Sequence, residues 1–389
     1  MRYTKRALLL AATIPTFSDA ATIAVLPNSA YPTPCSAFAA ARDGDVINIT
    51  ADVYSGDVCR IDKSNLTIRG VNGRPKIDAA GMSSQGKAIW VIGGNNVVVE
   101  NIEMFGASVP DQNGSALRLE GTNFTLRNSF LHDNENGILS GVNTASTIVL
   151  ENNEFGYNGY GNGYSHNVYI GKAGRLIFRF NYSHDANVGH NLKTRALVNT
   201  ISYNRFSSLR LGETGSTKAG KPSYEIDIPN GGTTSLIGNV IMQPVDGTNR
   251  NIVAYGEEGI AGYATDLYIV NNTFINDERS RGTFIMVGAE VKTSVVLINN
   301  LFSGYGQQVT QPSAIKRTNY QATSVNFVNK AAYDLRPLII PQIVNAGSEA
   351  GYSTDGTSLD VDFSYRHIAS ADARIVLGAR KDIGAYEVY

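Results

Sequence analysis

IVLENNEF (residues 148–155), LYIVNNTF (267–274) and VVLINNLF (295–302) are three copies of the phrase that decides the fold of this chain. Each copy has alternating β-forming residues, then an asparagine, then an aromatic side chain two residues later. Related copies align on the asparagines Asn101, Asn128, Asn153, Asn181, Asn204, Asn239, Asn272 and Asn300. Their spacing of 23 to 35 residues indicates a solenoid or a propeller.

The phrase favours a parallel β-helix. Its period is too short for four-stranded propeller blades, and it lacks the 3.6-residue spacing of helical repeats. Turns of two or three short strands, stacked about 4.8 Å apart, would align equivalent side chains in columns along the axis. Asparagine suits the corners because it tolerates the left-handed backbone region, and stacked amides can bond from turn to turn. Charged residues make up only 17% of the chain, which suits an all-β protein.

The first twenty residues have the pattern of a secretory signal peptide. Arg2, Lys5 and Arg6 precede a short apolar run, and Ser18-Asp19-Ala20 forms a small-x-small cleavage pattern. We therefore expect a secreted or periplasmic protein without a transmembrane segment. With a formal net charge of −1 and no basic run, nucleic acid is not an expected partner.

Residues 21–389 are expected to form one β-helix domain, with a cap at about 34–45, coils at about 64–302 and closing coils and cap at 303–389. Cys35 opens an alanine-rich segment with Pro34 at a helix start. A helix there would cover the first open turn of the solenoid. Because the chain is expected to be exported, Cys35 and Cys59 are predicted to form a disulfide that joins this cap to the first coil.

Two segments, SHNVYIG (165–171) and GHNLKTR (189–195), align with NGILSG (136–141) one coil earlier. Period-two alternation predicts an inward column that contains Ile138, Ser140, Val168, Ile170, Leu192, Thr194, Ile226 and Ile228. The outward set is then Asn167, Tyr169, Asn191, Lys193, Arg195, Glu225 and Asp227, with His166 and His190 at the strand edges and Glu257 a turn further on. Ionisable groups gathered on one face in this way are where acid–base chemistry is built.

With YGNGYSHN (160–167) and VGHNLKTR (188–195), the chain resembles the pectin-lyase-like superfamily of single-stranded right-handed β-helices. The superfamily includes pectate and alginate lyases and mannuronan C5-epimerases. The epimerases carry a tyrosine ahead of an Asp-Pro-His segment, then a His-Gly and a basic residue one coil later. Here Ser165 precedes His166 and the Asp-Pro is absent. The resemblance implies a right-handed solenoid that acts on an acidic polysaccharide.

A lyase mechanism would assign roles to these residues. Lys193 and Arg195, with Asn191, would neutralise the uronate carboxylate. His190 or His166 would remove the C5 proton as a base. Tyr169 or Tyr164 would protonate the leaving oxygen in β-elimination, or the opposite face of the sugar in epimerisation.

Two other hypotheses for the function remain open. A glycoside hydrolase would use Glu225, Asp227 and Glu257 as its acid and base, and a non-catalytic adhesin or glycan-binding module would use the same face as a polar groove. The remaining expected substrate contacts are Asn167 and Tyr164. No cofactor is required by the sequence; Asp185, Glu225 and Asp227 are candidate oxygen ligands for Ca²⁺. A monomer is expected.

Overall fold

Three long parallel sheets form the body of the protein. The computed structural model describes residues 20–208, 220–245, 247–278 and 282–388. Within them, each turn of the chain adds one strand to each sheet, so that strands neighbouring in a sheet lie one coil apart in sequence. This is the all-β parallel β-helix predicted from the repeated phrase. The predicted signal peptide lies outside the described residues except for Ala20.

The strands are short and are grouped by sheet. Sheet 1 consists of Thr22–Val25, Val46–Thr50, Thr67–Val71, Val97–Glu100, Phe124–Arg127, Asn143–Glu151, Ala173–Arg179, Val198–Ser202, Thr233–Ile237, Leu267–Val270, Val296–Ile298 and Ile315–Arg317. Sheet 2 consists of Val53–Ser55, Lys76–Asp78, Glu103–Phe105, Phe130–His132, Glu154–Gly156, Tyr182–His184, Arg205–Ser207, Val240–Gln243, Thr273–Asn276, Leu301–Ser303 and Tyr320–Ala322. Sheet 3 consists of Cys59–Ile61, Ala88–Ile92, Ser115–Leu119, Asn136–Ser140, Val168–Ile170, Leu192–Thr194, Ile226–Ile228, Asn251–Tyr255, Thr283–Val287 and Gln307–Val309.

An α-helix, Pro34–Ala40, packs on the first coils. It begins with a capping box between Thr33 and Ser36 and has proline in its first turn, as the sequence indicates. Phe38 meets the buried Trp90 edge to face, with ring centroids 5.1 Å apart. Cys35 and Cys59 form the predicted disulfide, so the cap is joined covalently to the first strand of sheet 3.

Six of the aligned asparagines form a buried hydrogen-bonded ladder between sheets 1 and 2. Asn204 shows the pattern: its amide group donates to Asn239 Oδ1 in the next coil at 3.0 Å and to the Phe178 carbonyl in the previous coil at 2.8 Å. Its own Oδ1 accepts from Asn181. The described ladder members are Ser129, Asn153, Asn181, Asn204, Asn239, Asn272, Asn300 and Asn319.

The backbone assignment at this corner is partly wrong. Asn101 and Asn128 adopt the predicted left-handed conformation, with φ of 56° and 50°. In later coils the left-handed residue is the one directly before the phrase asparagine. These residues are Asn152, Phe180, Tyr203, Gly238, Asn271 and Asn299. The phrase asparagine itself points inward there, where its amide replaces backbone partners that the turning chain leaves open.

The predicted inward column of sheet 3 is confirmed. Ile138 pairs with Val168, Leu192 with Ile226, and Ile170 with Thr194. All of these side chains are buried in the solenoid interior. The other side of the same strands therefore faces outward.

The chain ends in two antiparallel pairs, Phe327–Asn329 with Asp334–Pro337 and Phe363–Arg366 with Ser370–Ala373, and a short 3₁₀ turn, Lys330–Ala332. Residues of this tail, such as Leu335 and Tyr386, pack against Val240 and Ile275 of sheet 2. The tail therefore covers part of sheet 2, and its Leu359 and Val361 pack against Ile237 and Val270 of sheet 1. No helix in the described part of the chain is long and apolar enough to cross a membrane.

Candidate functional site

The site is built on an outward column of sheet 3. Tyr169 pairs in register with Lys193, and Lys193 with Asp227. Strands stack about 4.8 Å apart, so these three side chains stand side by side on adjacent coils. The alternation predicted this outward direction, and it is confirmed for all three positions.

Lys193 lies between two carboxylates. Its Nζ is 2.8 Å from Asp227 Oδ2 and 2.9 Å from Glu258 Oε1, and its side chain is only 9% exposed. Burial lowers the pKa of Lys193, but the charge and hydrogen bond of Asp227, together with Glu258, outweigh it and leave the pKa raised above its ordinary value. Lys193 is therefore a cation at neutral pH.

Arg195 joins the tyrosine to the charged cluster. Its Nε donates to Tyr169 Oη at 2.9 Å, and its Nη2 lies 2.5 Å from Glu258 Oε2. Nη1 donates to the amide oxygen of Asn230. A guanidinium that donates to a phenol oxygen stabilises negative charge on that oxygen.

His166 and His190 stack face to face, with ring centroids 4.5 Å apart, and Tyr224 continues the stack at 5.1 Å. The Nδ1 atom of His166 accepts the backbone N–H of His190, and that of His190 accepts the backbone N–H of Tyr224. Nδ1 therefore carries no proton in either ring. Both rings are almost completely buried.

His190 is held neutral by its surroundings. Burial, with the charge of Lys193 adding to it, lowers its pKa to about 3. A neutral ring with an accepting Nδ1 carries its proton on Nε2, which faces Asp227 Oδ2 at 3.3 Å. The structure thus places His190 behind Asp227, with neither nitrogen free to take a proton from a ligand in this arrangement.

Three predicted outward residues point elsewhere. Asn167, Asn191 and Glu225 are at most 1% exposed and form a second buried ladder, at the corner between sheets 2 and 3. Asn167 donates to Asn191 Oδ1 at 2.9 Å, and Asn191 donates to Glu225 Oε2 at 2.5 Å. The prediction of an outward direction is wrong for these positions, because the backbone turns at the corner before the regular alternation of the strand begins.

The ladder ends on a carboxyl group. Burial raises the pKa of Glu225 to about 8 and outweighs the hydrogen bond from Asn191, which lowers it. Its Oε1 is buried and has no hydrogen-bond partner among the described residues. Glu225 is therefore protonated at neutral pH and is separated from the outer face, so it is not placed to contact a ligand there.

Glu257, Glu258 and Tyr164 lie on loops at the edges of this face. Glu257 and Tyr164 are exposed, whereas Glu258 is half-exposed and bonded to the cluster. The sequence predicted Glu257 and not Glu258 or Asn230 as functional. Their loops have no repeated phase from which the direction of a side chain could be predicted.

The candidate Ca²⁺ ligands are not gathered. Asp227 is paired with Lys193, and Glu225 is buried at the end of the ladder. Asp185 lies after the sheet 2 strand Tyr182–His184 and bonds His184 Nδ1 at 2.7 Å. Among residues 20–208, 220–245, 247–278 and 282–388, no group of three or more His, Cys, Asp or Glu side chains is placed to hold a metal ion.

Comparison with solved structures finds the same fold. The chain is similar to the pectate lyase Pel9A, with a TM-score of 0.64 and 16% identity over 96% of this chain and 97% of that one. It is also matched by an alginate lyase of the PL6 family, AlyGC, with a TM-score of 0.37 and 13% identity over 83% of this chain and 56% of that one. No protein-family model and no curated protein sequence matches the chain. The similarity to Pel9A confirms the resemblance in fold, a right-handed parallel β-helix.

Proposed function

We propose that this chain is a polysaccharide lyase that cleaves a uronate-containing glycan by β-elimination. The observation that carries the proposal is the contact of Tyr169 Oη with Arg195 Nε, beside the ammonium group of Lys193, on one outward face. A uronate ring loses its C5 proton only when the charge that develops on its carboxylate is stabilised. In this proposal Lys193 and Arg195 supply that stabilisation.

In the proposed step the Tyr169 oxygen, once its own proton has passed to solvent, takes the C5 proton. The electron pair of that bond forms the C4–C5 double bond while the C4–O glycosidic bond breaks. Tyr169 then returns the proton to the leaving oxygen, which restores the phenolate. One group can serve in both transfers because the C5 proton and the leaving oxygen can lie on the same side of the sugar. Arg195 keeps the phenol oxygen positioned throughout.

His190 takes a different role from the base expected at first. Its Nε2–H faces Asp227, and Asp227 in turn bonds Lys193 Nζ at 2.8 Å. We assign His190 and Asp227 to the positioning of Lys193, so that this ammonium group presents a fixed charge to the sugar. His166 supports His190 through the ring stack and its backbone contact.

Three observations support this proposal, and the second of them also weighs against a hydrolase. The similar pectate lyase has the same fold along nearly its whole length. The Glu225 carboxyl group is buried, so it could not serve as the acid of a hydrolase on the outer face. The disulfide Cys35–Cys59 suits an exported protein. A polymeric substrate would be encountered outside the cytoplasm.

The test is an assay of the purified protein on pectate, alginate, glucuronan and acidic exopolysaccharides. Ultraviolet absorbance reports the C4–C5 double bond, and reducing ends report chain cleavage. We expect both signals to rise together on at least one polymer. Reducing ends without absorbance would instead establish hydrolysis. Binding without either signal would leave two hypotheses, an epimerase, which reprotonates C5, and a binding module.

A further inference from the structure

The carboxylate of Glu258 occupies a position that a ligand carboxylate would be expected to take. Its Oε1 lies 2.9 Å from Lys193 Nζ and its Oε2 lies 2.5 Å from Arg195 Nη2. The side chain of Glu258 is 48% exposed, against 9% for Lys193 and 24% for Arg195. Glu258 is therefore the most exposed of the four charged side chains in the cluster.

The charges of the cluster balance only with Glu258 in place. Lys193 and Arg195 contribute two positive charges, and Asp227 and Glu258 contribute two negative charges. His190 is neutral. Asp227 is buried against Lys193. Its displacement would leave the Lys193 ammonium group buried without its carboxylate partner, which is costly. Displacement of Glu258 would thus create a site for a single carboxylate.

The main chain around Glu258 is fixed, so this displacement needs only a side-chain rotation. The Glu258 N–H donates to the Pro229 carbonyl at 2.8 Å, and Asn230 Nδ2 donates to the Gly259 carbonyl at 2.8 Å. Exposed ion pairs are weak because water competes for both partners. Glu258 is the exposed partner in both of its ion pairs, so that water already competes for its carboxylate and an incoming anion can exchange with it.

We propose that Glu258 occupies the subsite of the substrate carboxylate between Lys193 and Arg195 and is displaced by one uronate carboxylate. This inference rests on the proposed lyase function for the identity of the ligand. In the free protein Glu258 keeps the two cations positioned, and it lowers the affinity for acidic glycans because each binding event must break its two contacts. Neutral sugars have no group that could replace it.

The experiment compares Glu258→Gln and Glu258→Ala with the parent protein. Binding of tetragalacturonate and tetramannuronate is measured by calorimetry, and turnover on the polymers is measured by ultraviolet absorbance. Removal of the competing charge is expected to lower Kd and KM for acidic oligosaccharides about fivefold, the effect of a weak ion pair. We expect kcat to change less than about twofold.

Glu120→Gln is the matched control. Glu120 also bridges a lysine and an arginine near sheet 3, with Lys87 Nζ at 2.6 Å and Arg60 Nη1 at 2.5 Å. It follows the strand Ser115–Leu119, which lies three strands away from Leu192–Thr194, the strand that carries Lys193, about 14 Å at the usual spacing. This exceeds the screening length of about 8 Å at physiological salt. The control therefore removes the same charge without changing the site, and Kd should stay within about twofold of the parent value.

The outcomes separate the two proposals. Tighter uronate binding in both Glu258 variants and not in Glu120→Gln supports the inference, even if no unsaturated product forms and the lyase proposal falls. Turnover or binding in the parent protein without tightening in the variants overturns the inference and leaves the lyase proposal standing. No binding of either oligosaccharide and no turnover of any of the polymers, by parent or variants, overturns both. Unchanged melting temperatures establish that the variants are folded.

Discussion

At the scale of single residues, Tyr169 provides the contact on which the proposed proton transfer depends. Its oxygen accepts from Arg195 at 2.9 Å and stands on the coil next to Lys193. Period-two alternation was sufficient to predict that the side chains of Tyr169 and Lys193 point outward. The hydrogen bond itself was not predictable, because it depends on the rotamers of two long side chains.

Tyr169→Phe tests the transfer directly. We expect kcat to fall about 10²- to 10⁴-fold, the usual contribution of a general acid–base group, with KM within about threefold because the ring remains. Steady-state ultraviolet assays measure both constants.

Tyr263→Phe is the control for this change. Its hydroxyl donates to the Arg195 carbonyl at 3.2 Å, close to the site, so that the variant removes a nearby hydroxyl without touching the proton path. We expect less than threefold effect. Comparable turnover of Tyr169→Phe and the parent protein would contradict the assignment.

Glu225 shows how a buried residue links stability to pH. With a pKa of about 8 in the folded protein and about 4.3 in an unfolded chain, it is protonated in both states below pH 4. Between these values the unfolded chain releases its proton while the folded protein retains it. The contribution of Glu225 to stability is therefore lost as pH rises through this range.

Glu225→Gln should remove this dependence. The Gln carbonyl can still accept from Asn191, and its neutral amide has no proton to lose. We expect the variant and the parent to unfold alike at pH 4.5, and the variant to be more stable at pH 8.5 by on the order of 4 kcal/mol. Urea denaturation at both pH values measures the difference. Parallel stability profiles from pH 4.5 to 8.5 would refute the assignment of a protonated buried carboxyl group.

At the scale of structural elements, the asparagine ladder and the sheets depend on one another. Each ladder amide bonds to main chain in one coil and to the next asparagine in another, as Asn204 does with Phe178 and Asn239. The ladder therefore satisfies backbone groups that turn away from the sheets at the corner. Buried amides of this kind are costly to leave without partners.

Asn204→Ala should destabilise the protein by about 3 kcal/mol or more, because it leaves the Phe178 carbonyl and the Asn181 amide without their partners. Asn96→Ala is the comparison, since Asn96 belongs to an exposed ladder with Asn65 and Asn123. Alanine tolerates the left-handed backbone of this position (φ 54°) less well than asparagine. Because the hydrogen bonds that are lost are exposed, the free energy of unfolding should fall by only about 1 kcal/mol. Urea midpoints measure both, and equal losses would show that burial does not set the cost.

At the scale of the whole molecule, the protein is a stack in which each coil contacts its neighbours along the axis. The cap helix and the bridge Cys35–Cys59 therefore protect the first coils, and the tail contacts later ones. In solenoids of this kind stability is close to a sum of nearest-neighbour contributions.

Replacement of both Cys35 and Cys59 by serine should destabilise the N-terminal end by about 3 kcal/mol, given a sequence separation of 24. Hydrogen exchange should become faster in the early strands, such as Val46–Thr50, and stay unchanged in late ones, such as Thr283–Val287. The reduced parent protein provides the same comparison without substitution. Uniform acceleration along the chain would contradict the nearest-neighbour description.

The sequence by itself determined the solenoid, because a short repeat of apolar alternation and corner asparagines buries its apolar columns when successive turns stack on one another. It also determined the outward direction of Tyr169, Lys193 and Asp227, which lie within regular strands. Only the tertiary structure decided what happens at corners and loops, where alternation fails. There Glu225 turns inward to end a ladder and Glu258 arrives from a loop to join Lys193 and Arg195. Those directions follow from the path of the backbone around each turn, which a linear pattern does not contain.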